Sequence, residues 1–164
     1  MTDPVVQLLD PKHHDRSGFV CGATSLDDYL RKQAAQHHRD GISTTHVLID
    51  TNEPDRILGY YSLSAAQLKL SELSENDRRR LPRYPVPAVR MGRLAVAADQ
   101  QGRGYGELLL AHAVARCLGL RAELGVRVLL ADALNEKAAD FYRAYGFRPT
   151  TARALTLYLP LGKP

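Results

Sequence analysis

Two periodicities of hydrophobic and polar residues run along the chain and predict its strands and helices. Short runs rich in β-branched and aromatic residues, bounded by turn residues, are typical of strands. Apolar residues that recur every three or four positions are typical of helices that pack on a core. The first pattern predicts strands at Val5 to Leu9, Thr44 to Asp50, Ile57 to Leu63, Leu94 to Ala97, Val126 to Leu130 and Leu155 to Leu159.

Three helices and a polar insert are predicted between these strands. They are Ser25 to about His38, Leu108 to Leu120, Asn135 to Tyr145, and an insert over Ser71 to Leu81. Ser25 and Ser74 are suited to N-caps, and Gly146 is suited to a C-cap. The predicted buried face of the second helix comprises Leu108, Leu109, Ala111, His112, Ala115 and Leu118. The element order shows no repeat or linker, so we expect one α/β domain over residues 1–164.

Composition and charge are those of an ordinary globular protein. Of the 164 residues, 45% are hydrophobic and 24% are charged, and the formal net charge is +4. The sequence shows neither an apolar run long enough for a membrane span nor a signal peptide. We therefore expect a soluble, cytoplasmic protein without a membrane partner. The mild positive charge permits a polyanionic partner without requiring one.

Cysteine and histidine positions do not indicate a disulfide or a metal site. Cys21 and Cys117 are far apart and lack paired spacing, which is typical of reduced thiols. The pairs His13–His14 and His37–His38 are chain neighbours, which do not share a helix face, and they lack metal-ligand spacing. We expect no metal.

The stretch Arg90 to Gly106, RMGRLAVAADQQGRGYG, carries the strongest chemical signal. A strand passes through a glycine-rich turn into a helix. Such a turn presents backbone N–H groups and the helix dipole to an anion. The glycine spacing fits neither a dinucleotide fingerprint nor a P-loop, but it fits Q-x-x-G-x-G at Gln101 to Gly106. A plain glycine-rich turn without a ligand is the structural alternative.

Three motifs in the second half resemble those of the GNAT N-acetyltransferases. They are the Q-x-x-G-x-G loop, Asn135 at the start of the last helix, and F-Y-x-x-x-G-F over Phe141 to Phe147. This resemblance implies an α/β GNAT fold, whose central mixed, twisted sheet is splayed at the acetyl-CoA site and has helices on both faces. Acetyl-CoA is the implied co-substrate. Its implied binding residues are Leu94, Ala95, Val96, Gln101, Gly102, Arg103, Gly104, Tyr105, Gly106 and Asn135.

The same resemblance implies particular roles for two of these positions and for Tyr142. The backbone N–H of Val96 polarises the thioester carbonyl, as an oxyanion hole does. Tyr142 is the implied general acid for the departing thiolate, and the alternative is an aromatic side chain that only packs. Asn135 bonds the pantetheine arm, although a helix N-cap is a second role that asparagine fills.

The first half is similar to the GNAT toxins of type II toxin–antitoxin modules. The similarity rests on Phe19-x-Cys21-Gly22, on Leu26-Asp27-x-Tyr29-Leu30 and on Ile57-x-Gly59-Tyr60-Tyr61-Ser62-Leu63. It implies an enzyme that acetylates the amino group of aminoacyl-tRNA and so blocks translation. It also implies a homodimer, a cognate ribbon-helix-helix antitoxin, and operator DNA bound only through the antitoxin complex.

Basic side chains are the predicted contacts to tRNA, since phosphate neutralisation gives sequence-independent affinity. A solvated basic face is the alternative interpretation. Two other functions stay open. One is a housekeeping GNAT enzyme that acetylates a small amine or a protein N-terminus, and the other is a co-repressor role. The predicted tRNA-binding residues are Arg78, Arg79, Arg80, Arg83, Lys32 and Arg39.

Overall fold

The β-rich runs of the sequence form one mixed sheet in a computed structural model that describes residues 1–163. Its strands are β1 (Pro4–Leu8), β2 (Thr44–Asp50), β3 (Gly59–Leu68), β4 (Val86–Val96), β5 (Val128–Asp132), β6 (Arg148–Pro149) and β7 (Thr156–Pro160). They hydrogen-bond in the order β1-β2-β3-β4-β5-β7-β6. β4 and β5 are parallel, whereas β1/β2, β2/β3, β5/β7 and β6/β7 are antiparallel. The predicted mixed α/β fold is confirmed, and β6 was not predicted.

Five α-helices connect the strands within the described chain. They are α1 (Thr24–Lys32), α2 (Ala34–Arg39), α3 (Glu75–Arg78), α4 (Tyr105–Leu120) and α5 (Glu136–Ala144). The prediction of one helix from an N-cap at Ser25 to His38 is wrong. Leu26 and Asp27 both donate their backbone N–H to the Ala23 carbonyl, so the helix starts before Ser25. It breaks at Gln33, whose φ of −123° is outside the helical range.

Backbone contacts divide the chain into two compact units, each made of two stretches. Unit 1 comprises Met1–Ser64 and Arg93–Ala113. Unit 2 comprises Ala65–Gly92 and the chain from Val114 onward. The single domain over residues 1–164 stays a prediction.

Unit 1 is built around a buried aromatic pair. The rings of Phe19 and Tyr60 meet edge-on with centroids 5.6 Å apart, and the Tyr60 hydroxyl donates to the Leu26 carbonyl at 2.6 Å. Apolar side chains from α1 and β2, including Leu30 and Val47, complete this core. The hydrogen bond lets a buried phenol keep a partner, so the ring contributes its apolar area without a desolvation penalty.

At Gly59, β3 approaches β4 and α4 closely within unit 1. A Cβ atom at Gly59 would lie 2.8 Å from the Ala95 carbonyl oxygen and 2.8 Å from Leu109 Cδ1. This contact places Leu109 on the buried side of α4, so the predicted buried face is wrong except at Leu109. Leu108 and His112 are half-buried, Ala111, Ala115 and Leu118 are exposed, and the buried residues of α4 are Tyr105, Leu109, Leu110, Ala113 and Cys117.

Unit 2 contains a polar cluster at the start of α3. Ser74 is the N-cap, as predicted, because its hydroxyl accepts from the Asp77 N–H. The Tyr158 hydroxyl donates to Asp77 at 2.6 Å, and Arg148 donates to both oxygens of the same carboxylate. Burial of the carboxyl would raise its pKa, but the hydrogen bonds from Arg148, Tyr158 and Ser74 outweigh burial, and the pKa of Asp77 is lowered.

Gly59→Ala tests the close approach in unit 1. The added Cβ meets backbone oxygen as well as a side chain, so neither neighbour can move aside freely. We expect a loss of about 1–3 kcal/mol in the free energy of unfolding, measured by urea denaturation. Gly119→Ala is the control, because a Cβ there meets nothing within 4 Å and alanine favours the helix. Equal effects of the two substitutions would contradict the account.

Asp77→Asn tests the polar cluster in unit 2. We expect the free energy of unfolding, measured by urea denaturation, to fall by about 1–2 kcal/mol at neutral pH. The reason is that a charged acceptor beside Arg148 becomes neutral. A lowered folded-state pKa contributes stability above the unfolded pKa of about 3.9, and that contribution is lost as pH falls through the folded value. The free energy of unfolding of the wild-type protein should therefore fall below about pH 4, and that of the variant should fall less over the same range.

The control for this cluster is Asp140→Asn on α5. Asp140 also pairs with an arginine, at 2.6 Å, but its side chain is 74% exposed, against 17% for Asp77. Exposed ion pairs contribute little to stability. If Asp140→Asn lowers the free energy of unfolding as much as Asp77→Asn does, the cluster has no special role in stability.

Candidate active site

The predicted anion-binding loop lies between β4 and α4 in unit 1. β4 ends at Val96, and α4 begins at Tyr105. Gly102 and Gly104 have φ values of +83° and +81°, a region that disfavours any side chain. Gln101, Gly102, Arg103 and Gly104 are exposed directly before the first turn of a 16-residue helix. An exposed turn followed by the free N–H groups of a helix can hold a pyrophosphate.

The side chain of Gln101 anchors this loop. Its Nε2 donates to the Cys21 carbonyl at 2.9 Å and to the Val96 carbonyl at 3.1 Å. The amide therefore ties the loop to the end of β4 and to the segment before α1. Gln101 positions the loop through its side chain, and only its backbone is left to face an anion.

The end of β4 holds the three residues that are predicted to bind the pantetheine arm. Ala95 is buried against Gly59, while Leu94 and Val96 are half-buried. The next backbone N–H, that of Ala97, donates to the Leu58 carbonyl at 2.8 Å. The hydrogen-bonding roles of Leu94 and Val96 toward a cofactor stay predictions.

Tyr142 lies on α5 in unit 2 and is almost completely buried, with 3% of its surface exposed. Its ring packs against Phe141 and Phe147 at centroid distances of 5.4 and 5.3 Å. Burial raises the pKa of the Tyr142 hydroxyl, and the negative charge of Asp132 raises it further. The hydroxyl therefore stays protonated at physiological pH, which is the state that a proton donor needs.

Asp132 is a charged neighbour that the sequence reasoning missed. Its carboxylate accepts two hydrogen bonds from Arg90 Nη1, at 2.7 and 2.8 Å, and one from Thr156 at 3.3 Å. Arg90 and Asp132 lie on the parallel strands β4 and β5. An acid that follows the buried run Val128 to Ala131 at the carboxyl end of its strand was the available signal.

Asn135 is the N-cap of α5, which is the second role predicted for this residue from the sequence. Its Oδ1 accepts from the Ala138 N–H at 2.9 Å, and the backbone of Asn135 is extended. Gly146, with φ of +93°, ends the same helix as predicted. Binding of the pantetheine arm by Asn135 stays a prediction.

The predicted tRNA-binding residues fall into two groups. In unit 2, Arg79, Arg80 and Arg83 are exposed and Arg78 is half-buried. Three of these arginines are consecutive on the insert, and Arg83 follows shortly after it. In unit 1, Arg39 is exposed at the end of α2, whereas Lys32 is 3.6 Å from Asp28 and is partly neutralised. Their binding to RNA stays a prediction.

Histidines form no metal site in the described residues. Across residues 1–163, no three His, Cys, Asp or Glu side chains form a group that could hold a metal ion. His46 instead stacks on Tyr61 with centroids 4.9 Å apart, and the Tyr61 hydroxyl hydrogen-bonds His112 Nδ1 at 2.7 Å. None of the described helices is both long and apolar enough to cross a membrane.

Sequence comparison identifies the family of this chain. Residues 42–149 match the sequence profile of the acetyltransferase (GNAT) domain. The chain belongs to the GNAT acetyltransferases. It is 37% identical over 145 residues to a tRNA-acetylating toxin of Mycobacterium tuberculosis (strain ATCC 25618 / H37Rv), and the match covers 88% of this chain and 85% of the relative. The predicted GNAT family is confirmed.

Structure comparison finds that KacT and the toxin AtaT resemble this GNAT chain. A Tyr-to-Phe mutant of KacT and AtaT complexed with acetyl-methionyl-tRNAfMet each match with a TM-score of 0.90 and 30% identity, over 96% of this chain and 95% of theirs. A Tyr-to-Phe mutant of AtaT, bound to the C-terminus of the antitoxin AtaR and to acetyl-CoA, matches with a TM-score of 0.83 and 28% identity. That match covers 97% of this chain and 94% of AtaT. Acetyl-CoA is the co-substrate of this GNAT enzyme, as predicted.

Gln101→Glu tests the anchoring of the loop. A carboxylate cannot donate to the Cys21 and Val96 carbonyls, and its negative charge would face two oxygen atoms. We expect the KM for acetyl-CoA to rise about tenfold, since two hydrogen bonds that position the loop are lost. Steady-state kinetics at saturating acceptor measure this change. Gln67→Glu, an exposed position on β3, makes the same charge change and should leave the KM for acetyl-CoA unaltered. A rise of similar size in both variants would contradict the anchoring role.

Proposed function

We propose that this protein is a toxin that transfers the acetyl group of acetyl-CoA to the α-amino group of aminoacyl-tRNA and thereby blocks translation. The observation that carries the proposal is the similarity, over 96% of the chain, to AtaT complexed with acetyl-methionyl-tRNAfMet. The relative from Mycobacterium tuberculosis, a tRNA-acetylating toxin, supports the same function. Both favour a toxin over a housekeeping enzyme that acetylates a small amine or a protein N-terminus.

The pKa of the acceptor amine fits the residues that the chain offers. A lysine amine, with a pKa near 10.4, is only about 0.1% neutral at pH 7.4, whereas an α-amino group with a pKa near 7.8 is roughly a quarter neutral. A neutral amine can attack a thioester without a strong general base. The carboxylate of Asp132, which raises the pKa of Tyr142, is already occupied by the Arg90 guanidinium. An α-amino substrate therefore suits this site.

Acetyl transfer then needs stabilisation of two charges. The neutral amine attacks the thioester carbonyl, and the Val96 N–H donates to the oxyanion that forms. As the C–S bond breaks, the Tyr142 hydroxyl donates its proton to the departing thiolate. The positively charged amine that has attacked the carbonyl then loses one proton and the Tyr142 oxygen regains one, so the products are the acetylated amine and the free thiol. Because burial raises the pKa of Tyr142, the hydroxyl is protonated before the reaction begins.

The proposed partners follow from the structures of the relatives. AtaT has been observed with the antitoxin AtaR, and the AtaT–AtaR complex has been observed on DNA. We propose that a cognate antitoxin of the ribbon-helix-helix type neutralises this toxin, and that operator DNA is bound through their complex. A homodimer, a cytoplasmic location, and tRNA contacts by Arg78, Arg79, Arg80, Arg83, Lys32 and Arg39 belong to the same proposal.

Tyr142→Phe tests the proposed general acid. Removal of one hydroxyl leaves the ring packing against Phe141 and Phe147 in place. We expect kcat on charged tRNA to fall by about 10²–10⁴, with little change in KM, because the hydrogen bond matters as the thiolate departs. Expression of wild-type protein should arrest growth, and expression of the variant should not.

Tyr145→Phe is the matched control on the same helix. Its ring also packs on Phe141, at 5.2 Å, but Tyr145 is 41% exposed. We expect it to retain most of the wild-type kcat. A larger loss in Tyr145→Phe than in Tyr142→Phe would transfer the acid role to Tyr145. Acetylation of peptides but not of charged tRNA by the wild-type protein would refute the toxin function.

A further inference from the structure

A cavity of about 350 Å³ in unit 2 is lined by three arginines and is separate from the residues assigned to acetyl transfer. Arg79 and Arg80 come from the insert after α3, and Arg127 comes from the residue before β5. We call it the arginine cavity. Its lining comprises Leu73, Asn76, Asp77, Arg79, Arg80, Leu81, Arg127, Val128, Tyr158, Pro160 and Gly162.

The arginine cavity has an unbalanced positive charge. Asp77 is the one acidic side chain in its lining, and this carboxylate is already bound by Arg148 and Tyr158. Within residues 1–163, Arg79, Arg80 and Arg127 form no ion pair with any carboxylate. Three arginines that line one space together with a single carboxylate, which is already paired, favour a phosphate.

Arg127 is held in place before any ligand arrives. Its backbone N–H donates to the Pro87 carbonyl, and its backbone carbonyl accepts from the Leu161 N–H, both at 2.9 Å. Arg121 in turn donates to the carbonyls of Leu161 and Lys163, at 2.6 and 2.7 Å. The backbone on both sides of Arg127 is therefore fixed, so an anion that binds there has to order only the arginine side chain.

A second cavity, of about 310 Å³, adjoins the first and is mainly apolar. It shares Leu81, Arg127 and Gly162 with the arginine cavity, and we call it the proline cavity. Tyr84 lines it and is 73% exposed, so a flat aromatic face is open to solvent. Its remaining lining is Pro82, Pro85, Val86, Pro87, Arg121, Gly125, Val126 and Lys163.

We propose that the two cavities together bind one unpaired nucleotide of tRNA, with its phosphate in the arginine cavity and its base against Tyr84. The proposal rests on the proposed function and adds to it Arg127, Tyr84 and the part of the RNA that is recognised. Each nucleotide of a single strand offers a phosphate beside a flat base, and proteins bind such units by combining cations with aromatic stacking. An acidic peptide offers the charges but not a ring beside each of them.

RNA affinity of the full-length protein tests the proposal directly. The probe is a short fluorescein-labelled single-stranded RNA, titrated by anisotropy at several salt concentrations. We expect Arg127→Gln to weaken binding about tenfold and to lower the salt slope by about one, as for one lost phosphate contact. Tyr84→Ala should weaken binding about fivefold or more, and Tyr84→Phe should restore most of it, because stacking needs the ring and not the hydroxyl.

Two variants control for charge and folding. Arg116→Gln removes one positive charge from an exposed position on α4 that lines neither cavity, and it should change RNA affinity less than twofold. Arg80→Gln repeats the test at an exposed residue, where the substitution does not disturb packing. Unchanged RNA affinity in both Arg127→Gln and Arg80→Gln overturns the proposal. A loss of RNA affinity in Arg116→Gln as large as that in Arg127→Gln also overturns the proposal.

Kinetics separate this proposal from the proposed function. Arg127→Gln should raise the KM for aminoacyl-tRNA while the KM for acetyl-CoA stays at the wild-type value. A raised KM for acetyl-CoA would show that the arginine cavity serves the phosphates of the cofactor, and would overturn the proposal. If wild-type protein acetylates no charged tRNA but still binds RNA in an Arg127-dependent manner, the toxin function fails and the nucleotide site stands.

Discussion

The close approach at Gly59 is the constraint on which the candidate active site depends. Only a hydrogen atom at this position leaves room for the Ala95 carbonyl and for Leu109, which lie 2.8 Å from where a Cβ would be. β4 and α4 are thereby held against β3 at residues on either side of the glycine-rich loop. The loop can then span a fixed gap with two glycines at positive φ, and the Gln101 amide closes it onto the end of β4. The shape of the predicted anion-binding loop is thus a consequence of backbone packing.

Sequence alone predicted the features that depend on local chemistry. The residues' own preferences account for the strands β2 and β3, for the caps at Ser74, Asn135 and Gly146, and for the turn of Gly102 and Gly104. Family motifs then identified the acetyltransferase. These predictions succeeded because each signal acts over a few neighbouring residues.

Features that depend on distant contacts were not predictable from the sequence. α4 is apolar on most sides, so its periodicity could not distinguish the face of Leu109 from that of Ala111 and Leu118; packing against Gly59 decides it. The Arg90–Asp132 pair joins residues 42 positions apart, and Asp77 meets partners 71 and 81 positions away. The sequence does not reveal which of its charges will meet.

The charges of this protein fall into two classes with different uses. Those within hydrogen-bonded clusters, such as Asp77 with Arg148 and Asp132 with Arg90, are neutralised and stabilise the fold. The arginines of the insert, together with Arg127, have no such partner in the described chain and are available to a polyanion. The buried hydroxyl of Tyr142 carries no charge at all, which suits a donor to a departing thiolate.

Mass spectrometry of the acceptor shows directly whether this protein acetylates the amino acid of charged tRNA. Charged tRNA is incubated with the protein and acetyl-CoA, and a nuclease then releases the aminoacyl-adenosine. Its mass is compared with that of the aminoacyl-adenosine from an untreated sample. We expect the amino acid to gain the mass of one acetyl group, and we expect no such gain with uncharged tRNA or with the Tyr142→Phe variant. If acetyl-CoA is fully consumed on another acceptor while the aminoacyl-adenosine keeps its original mass, the proposed tRNA-acetylating function is contradicted.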